Sequence, residues 1–244
     1  MISFGDIAID AQQIVSLLKQ KMQIREICRQ ATFSRIVSIA AQERGITISD
    51  DEVQAEADKC RHDLKLESAK DTLQWLDDQL ITPDEWEQGI YDRLLRQKLA
   101  TQLFEAQVAT YFTQHRLNYE KAVLYRIVVA DAPLAQELYY QITESETSFY
   151  QAAHQHDIDE KRRFHCGYEG SLSRQDLVPN IAAQVFGSQP KDIIGPNPSE
   201  DGYDLLMVET FLAAELTDDL RQRILNQLFD GWLERELVYL MHKD

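Results

Sequence analysis

No run in this chain is apolar for long enough to cross a bilayer. A spanning helix needs roughly 20 consecutive apolar residues, and charged or polar side chains interrupt every candidate well before that. The N-terminus, Met1-Ile2-Ser3-Phe4-Gly5-Asp6, lacks the basic start, apolar stretch and small-residue cleavage site of a secretory leader. Taken as complete, the chain reads as cytoplasmic; a secreted chain trimmed of its leader would read the same. Cysteine is scarce. Cys28, Cys60 and Cys166 are odd in number and scattered, with no CxxC pair, so the reading is reduced, mostly buried thiols rather than a disulfide framework. Basic charge is scarce as well. The 25 Lys and Arg against 41 Asp and Glu give a net charge of -16, which repels phosphate backbones and argues against nucleic acid as a partner. It suits basic or neutral polypeptide clients.

What is present is mostly helical. Apolar residues at Ile14, Leu17, Leu18 and Met22 fall at helical spacing. The pattern continues through Ile24, Ile27, Cys28, Ala31, Ile36, Val37 and Ala40, with a break expected near Thr32 and a stop at Gly45. Ser49-Asp50-Asp51-Glu52 reads as a capping box, and Ser68 starts a further short helix. Thr82-Pro83-Asp84-Glu85 is a strong helix start, with Pro at the first helical position and acids at the positive end of the dipole. The helix after it carries Trp86, Ile90, Leu94, Leu95, Leu99, Leu103, Phe104 and Val108. Thr217-Asp218-Asp219-Leu220 opens a last helix whose apolar face, with Ile224, Leu228, Trp232, Leu233 and Leu237, is too wide to stay in water. Its natural partner is the N-terminal set of helices, so the helical frame is expected to be discontinuous in sequence. Trp75, Trp86 and Trp232 then read as core.

Between these helices, residues 123–211 change character. A β-rich run, Val123 to Val129, opens the stretch and another, Gly202 to Glu209, closes it. A helical segment, a Gly-punctuated loop, Leu177-Val178-Pro179 and the turn Ile194-Gly195-Pro196 lie between. His154, His156, His165 and Cys166 cluster within this stretch, but His154 and His156 at i, i+2 face different sides of a helix. They read as surface or capping side chains, with no metal and no cofactor. Cys166 beside His165 also lacks a third orienting group, which weighs against a cysteine nucleophile. Lys161-Arg162-Arg163 reads as a solvated basic loop.

The phrase Gly45-Ile46-Thr47-Ile48-Ser49-Asp50-Asp51-Glu52-Val53 resembles a helix junction in the N-terminal domains of SurA-like and PrsA-like folding factors. The central stretch resembles the parvulin (PpiC, rotamase) domain those factors carry. Tyr125–Val129 is similar to its first strand, 134–142 to its first helix and Phe149-Tyr150-Gln151-Ala152-Ala153 to the start of its second. Cys166-Gly167-Tyr168-Glu169-Gly170, Leu177-Val178-Pro179 with Ile181 and Ala182, Gly195-Pro196 and Gly202-Tyr203-Asp204 follow in the family's order.

The resemblance implies an α+β chain. Residues 1–120 form a helical SurA/PrsA-like domain, 121–212 a β-α3-β-α-β2 parvulin-like domain, and 213–244 a C-terminal helix packing on the first. It also implies a site. Leu177, Ile181, Phe186 and Cys166 would bind substrate, and Arg126, Tyr168, Asp204 and Ser199 would stand at the catalytic positions. Arg126 and Asp204 occupy the places of the family's two histidines, and an ion pair between them is expected in place of the histidine pair. The implied activity is a peptidyl-prolyl isomerase of weak or absent activity that binds extended or unfolded polypeptide, a precursor peptide being one candidate. The alternative is a dedicated, non-catalytic assembly factor. Exposed helical faces leave room for a homodimer.

Overall fold

Side-chain caps set where most of the helices begin. In the computed structural model, which describes residues 2–4 and 7–242, strands β1 (Ile2–Phe4) and β2 (Ile7–Ile9) pair antiparallel. Asp10 then caps α1 (Ala11–Gln20) in a reciprocal box with Gln13. Helix α2 (Ile24–Glu43) is unbroken at Thr32, contrary to the sequence expectation. The Thr32 hydroxyl donates to the Cys28 carbonyl at 2.8 Å, so the polar group is satisfied inside the helix. The break falls instead between α1 and α2, where Met22 adopts φ 56°. Ser49 and Glu52 form the expected box at α3 (Asp50–Asp63), and Ser68 with Asp71 does the same at α4 (Ala69–Asp78). Thr82 and Glu85 exchange bonds of 2.8 and 3.2 Å at the head of the long α5 (Pro83–Gln114). These carboxylates accept backbone N–H groups, and that bonding holds the Glu52 and Glu85 pKa values below the ordinary carboxylate value.

The second half of the chain supplies β3 (Lys121–Val129), α6 (Ala132–Thr143), α7 (Phe149–His156) and α8 (Glu160–Phe164). After them come β4 (Tyr168–Ser173), α9 (Pro179–Val185), β5 (Ile193–Ser199), β6 (Gly202–Leu212) and finally α10 (Asp218–Met241). The chain divides into two compact units, 110–217 and a helical unit made of 1–109 with 218–244. The division thus falls at 109 and 217, where the sequence reading put it at 120 and 212. Among the described residues no helix is long and apolar enough to cross a membrane.

In the helical unit, the last helix does close the frame. Leu220, Ile224, Leu225, Phe229 and Leu233 of α10 are buried, as are Ile36, Val37 and Ala40 of α2 and Leu95, Leu99 and Phe104 of α5. Phe229 sits at the centre: its ring meets Phe104 edge-on at 6.4 Å and carries the Arg96 guanidinium 4.9 Å above it. Pairs Arg96–Asp230 at 2.6 Å and Arg221–Glu105 at 2.9 Å, with Arg29–Glu234, tie α10 to its neighbours. All are largely exposed and worth at most about 1 kcal/mol each, so apolar burial carries the packing.

The unit 110–217 is a four-stranded antiparallel sheet in the order β4-β3-β6-β5. The period-two alternation of β3 and β6 gives the sheet two apolar faces. Ile127, Val129, Leu205 and Met207 face α6 and α7, burying Ala135, Leu138, Phe149, Ala152 and Ala153. Ala122, Leu124, Leu206 and Val208 face the other way, with Val185 of α9. The strand and helix order is the expected β-α3-β-α-β2, in an α+β chain.

Phe229→Ala is expected to destabilise the helical unit by about 3–5 kcal/mol, read as a lowered midpoint in urea unfolding. A loss under about 1 kcal/mol would contradict the packing role given to α10.

Candidate functional site

The sheet face that packs against α9 also carries the charged residues singled out in sequence. Arg126 of β3 lies opposite Leu206 of β6, and Asp204 lies opposite Val128. The two side chains are therefore diagonal neighbours on one face, within reach of a long side chain. An Arg126 guanidinium nitrogen donates to Asp204 Oδ2 at 2.6 Å. Ser199, in β5, donates its hydroxyl to the other oxygen, Oδ1, at 2.9 Å. Both carboxylate oxygens are engaged, and the Asp204 side chain is only 9% exposed against 30% for Arg126.

Two glycines allow this closeness. A Cβ on Gly195 would stand 2.5 Å from the Asp204 carbonyl oxygen, and one on Gly167 would stand 2.8 Å from that of Arg126. Both residues also sit at positive φ, 111° and 89°, where side chains are strained.

The pair continues into a chain of charges. A second Arg126 nitrogen lies 3.6 Å from Glu169 Oε1, which also accepts from Arg162 at 3.2 Å. Arg162 in turn grips Asp157 with two nitrogens, at 2.7 and 2.8 Å. Asp157 is fully buried and also accepts the Asp159 N–H at 2.9 Å. Burial works against the Arg162 charge, but the bonds to Asp157 and the nearby carboxylates outweigh it and hold the guanidinium above its ordinary pKa. One donor in the chain is left over: Arg126 Nε is buried without a hydrogen-bond partner, a cost of about 1–3 kcal/mol.

The apolar part of the site lies alongside. Leu177, Ile181 and Phe186 pack, half-buried, against the cluster that contains Leu206. Pro179 begins α9 and sets Ile181 in its first turn. Phe186 is partly covered: the Arg174 guanidinium sits 4.3 Å over its ring and Phe211 lies 5.9 Å away. Gln184 of α9 donates to Asn197 of β5 at 3.2 Å, opposite Asp204.

Tyr168 does not join this group. It pairs with Tyr125 across a β-bulge, and their rings meet at 5.4 Å. Tyr125 packs on the α6–α7 face with Tyr150 4.9 Å away, so Tyr168 is on the opposite side of the sheet from Arg126. The bulge explains the error. Glu169 is the extra residue between the pairs Leu124–Gly170 and Tyr125–Tyr168, and its carboxylate takes the place beside Arg126 that the aligned loop suggested for Tyr168. Cys166 is half-buried in a left-handed turn after α8, at φ 52°, next to Gly167, whose carbonyl accepts the Arg126 backbone N–H at 2.7 Å.

Sequence reasoning also missed Arg162 and Asp157. Arg162 was read within a solvated basic run, yet it is mostly buried. The signal was its spacing, five residues after an acid at the end of a helix. His154 Nδ1 lies 3.2 Å from the Arg163 carbonyl and His165 Nδ1 2.8 Å from that of Lys161. Among the described residues no group of three or more His, Cys, Asp or Glu could hold a metal ion. An open cleft of about 870 Å³ lies away from the Arg126 side chain, lined by residues of α6, α7, β5 and the loop before β5 such as Tyr139, Ile142, Tyr150, Ile193 and Lys191.

A four-stranded sheet with three helices on the first crossover and one on the second, its α9 face carrying half-buried apolar side chains and polar groups, is the architecture of a parvulin-class domain. Residues 130–210 match the family model of the PPIC-type PPIase domain, Rotamase. The chain is 21% identical over 227 residues to the foldase protein PrsA of Caldanaerobacter subterraneus subsp. tengcongensis, covering 88% of this chain and 65% of that protein. It is 22% identical over 208 residues to the foldase protein PrsA of Halalkalibacterium halodurans, covering 82% and 61%. The chain thus spans a little under two thirds of the length of these curated relatives. The crystal structure of a peptidylprolyl isomerase (PrsA) from Bacillus cereus superposes with a TM-score of 0.55 at 14% identity, over 100% of this chain and 92% of that one. The chain is thus similar to PrsA foldases over most of its length, with one segment that matches the PPIC-type domain.

A double-mutant cycle tests the central pair. Asp204→Leu alone is expected to cost about 1–3 kcal/mol, a range discounted for the partial exposure of Arg126. Combining Arg126→Met with Asp204→Leu is expected to cost less than the two single losses summed, by at least about 0.5 kcal/mol. Additive losses in urea unfolding would show that the pair is not coupled.

Proposed function

We propose that this chain binds extended or unfolded polypeptide on the α9 face of its parvulin-type domain and turns X-Pro bonds weakly or not at all. One observation carries the reading: the half-buried apolar side chains Leu177 and Ile181 share their sheet face with polar groups that are locked to one another. Turning an X-Pro bond has an uncatalysed barrier of about 18–20 kcal/mol. A catalyst must hold the proline ring, exclude water and present polar groups that favour the twisted amide over both planar forms. Leu177 and Ile181 supply an apolar floor. Asp204, with both oxygens engaged by Arg126 and Ser199, has little freedom to follow an amide as it rotates. In the family resemblance these two positions hold histidines, and their exchange for an ion pair turns a responsive group into a structural one.

The foldase and isomerase names of the relatives support polypeptide as the ligand class. A net charge of -16 favours clients that are basic or neutral. A dedicated assembly factor for one precursor is the second reading. Exposed Val238, Leu240 and Met241 at the end of α10 favour it, because a permanent partner could cover them.

The test is two-dimensional NMR exchange on a library of short X-Pro peptides with and without the protein. Peptide resonances are expected to broaden, with weak or no cis/trans cross-peaks, and Leu177→Trp is expected to abolish the broadening by filling the slot. Arg126→His combined with Asp204→His is expected to raise the exchange rate. Strong cross-peaks from substoichiometric wild-type protein would overturn the weak-isomerase part. Neither broadening nor cross-peaks with any peptide would overturn peptide binding.

A further inference from the structure

The charge chain beside the slot has an odd count. Asp157, Glu169 and Asp204 contribute three carboxylates; Arg126 and Arg162 contribute two guanidiniums. Each guanidinium is shared between two carboxylates, so an acidic ligand must compete with them for it. The carboxylates differ in access: the Asp157 side chain is 0% exposed, Asp204 9% and Glu169 26%. Of the three carboxylates Glu169 is therefore the one that solvent, and hence a bound peptide, reaches best, beside the 30% exposed Arg126. The slot itself is close at hand. Leu206, which packs in the cluster with Leu177 and Ile181, is the cross-strand partner of Arg126, and adjacent residues of an extended peptide advance about 3.3 Å. A proline ring on Leu177 and Ile181 would bring the side chains on either side of it to the charge chain.

Other charges near this face do not reverse the balance. Asp176, next to Leu177, is ionised and held below its ordinary pKa by bonds from Ser173. Glu200 and Asp201 follow Ser199 in an exposed turn. Two cations oppose them: Arg174, whose guanidinium is stacked on Phe186, and Lys121, near enough to Asp176 to help lower its pKa.

We infer that Glu169 is a specificity-determining residue of this site, selecting basic or neutral residues flanking the client proline and rejecting acidic ones. The inference rests on the proposed peptide-binding role, since it names which peptides that same site takes. A basic side chain would add a third cation beside Glu169 and bring the chain of charges to neutrality. An acidic one would meet a carboxylate whose neighbouring cations are already shared with other carboxylates. Glu169 touches Arg126 and Arg162 as well as facing solvent, so its effect is read in discrimination between peptides rather than in affinity for any one.

The experiment measures fluorescence polarisation with labelled acetyl-Ala-X-Pro-X-Ala amides in which X is Lys, Ala or Glu. At about 50 mM salt the Lys peptide is expected to bind at least about fivefold tighter than the Glu peptide, as exposed ion pairs of this kind allow. The ratio is expected to shrink toward one at about 500 mM salt, where the screening length falls to a few ångströms. Glu169→Gln is expected to lower the Lys-to-Glu ratio toward one, and Glu169→Lys to invert it. Equal or tighter binding of the Glu peptide by wild-type protein would overturn the inference while leaving peptide binding intact, as would a ratio that survives both substitutions or does not respond to salt. Binding of none of the three peptides would overturn the proposed function and the inference with it.

Discussion

Asp204 is the constraint around which the α9 face is arranged. A carboxylate this deeply placed must have its charge balanced and its oxygens bonded, because an isolated buried charge costs far more than any contact around it supplies. Arg126 and Ser199 meet that need from the strands on either side. Arg126 then requires carboxylates of its own, which draws in Glu169, and Glu169 draws in Arg162 and the fully buried Asp157. The result ties β5, β6, β3, β4 and the start of α8 together by side chains. It also accounts for Gly195 and Gly167, whose missing Cβ atoms let the backbone close up at the two ends of the central pair.

That arrangement separates two jobs that a parvulin-type site combines. The apolar slot remains, because Leu177 and Ile181 are needed to cover the sheet whether or not a peptide is bound. The polar groups next to it are committed to the fold. The proposed function rests on that separation: half-buried apolar side chains beside polar groups that are bonded to one another.

Much of the architecture was legible in the sequence because it is written in local signals. Ser49 with Glu52 and Thr82 with Glu85 mark helix starts through bonds that span only three residues, and the wide apolar face of 220–237 could be satisfied only by another helix. The Arg126–Asp204 pair was also legible, once two adjacent strands and their faces were fixed. What failed was a matter of register. A bulge cannot be read from Tyr168-Glu169-Gly170, and one extra residue moves Tyr168 to the other face and hands its place to Glu169. Arg162 was hidden for a related reason: composition marks Lys161-Arg162-Arg163 as solvated, and only the three-dimensional position of Asp157 shows which of the three turns inward. At Thr32 the sequence pattern suggests a break, but the hydroxyl bond to the Cys28 carbonyl satisfies the side chain within an unbroken helix.

The most direct measurement is amide chemical-shift mapping of the isotopically labelled chain during titration with an X-Pro peptide. The account predicts that the largest shifts fall on the α9 face, at Leu177, Ile181, Ser199, Glu169 and Gly167, with Asp204 shifting little because its bonds are kept. Shifts centred on the cleft lined by Tyr139, Ile142 and Lys191, with the α9 face silent, would contradict it.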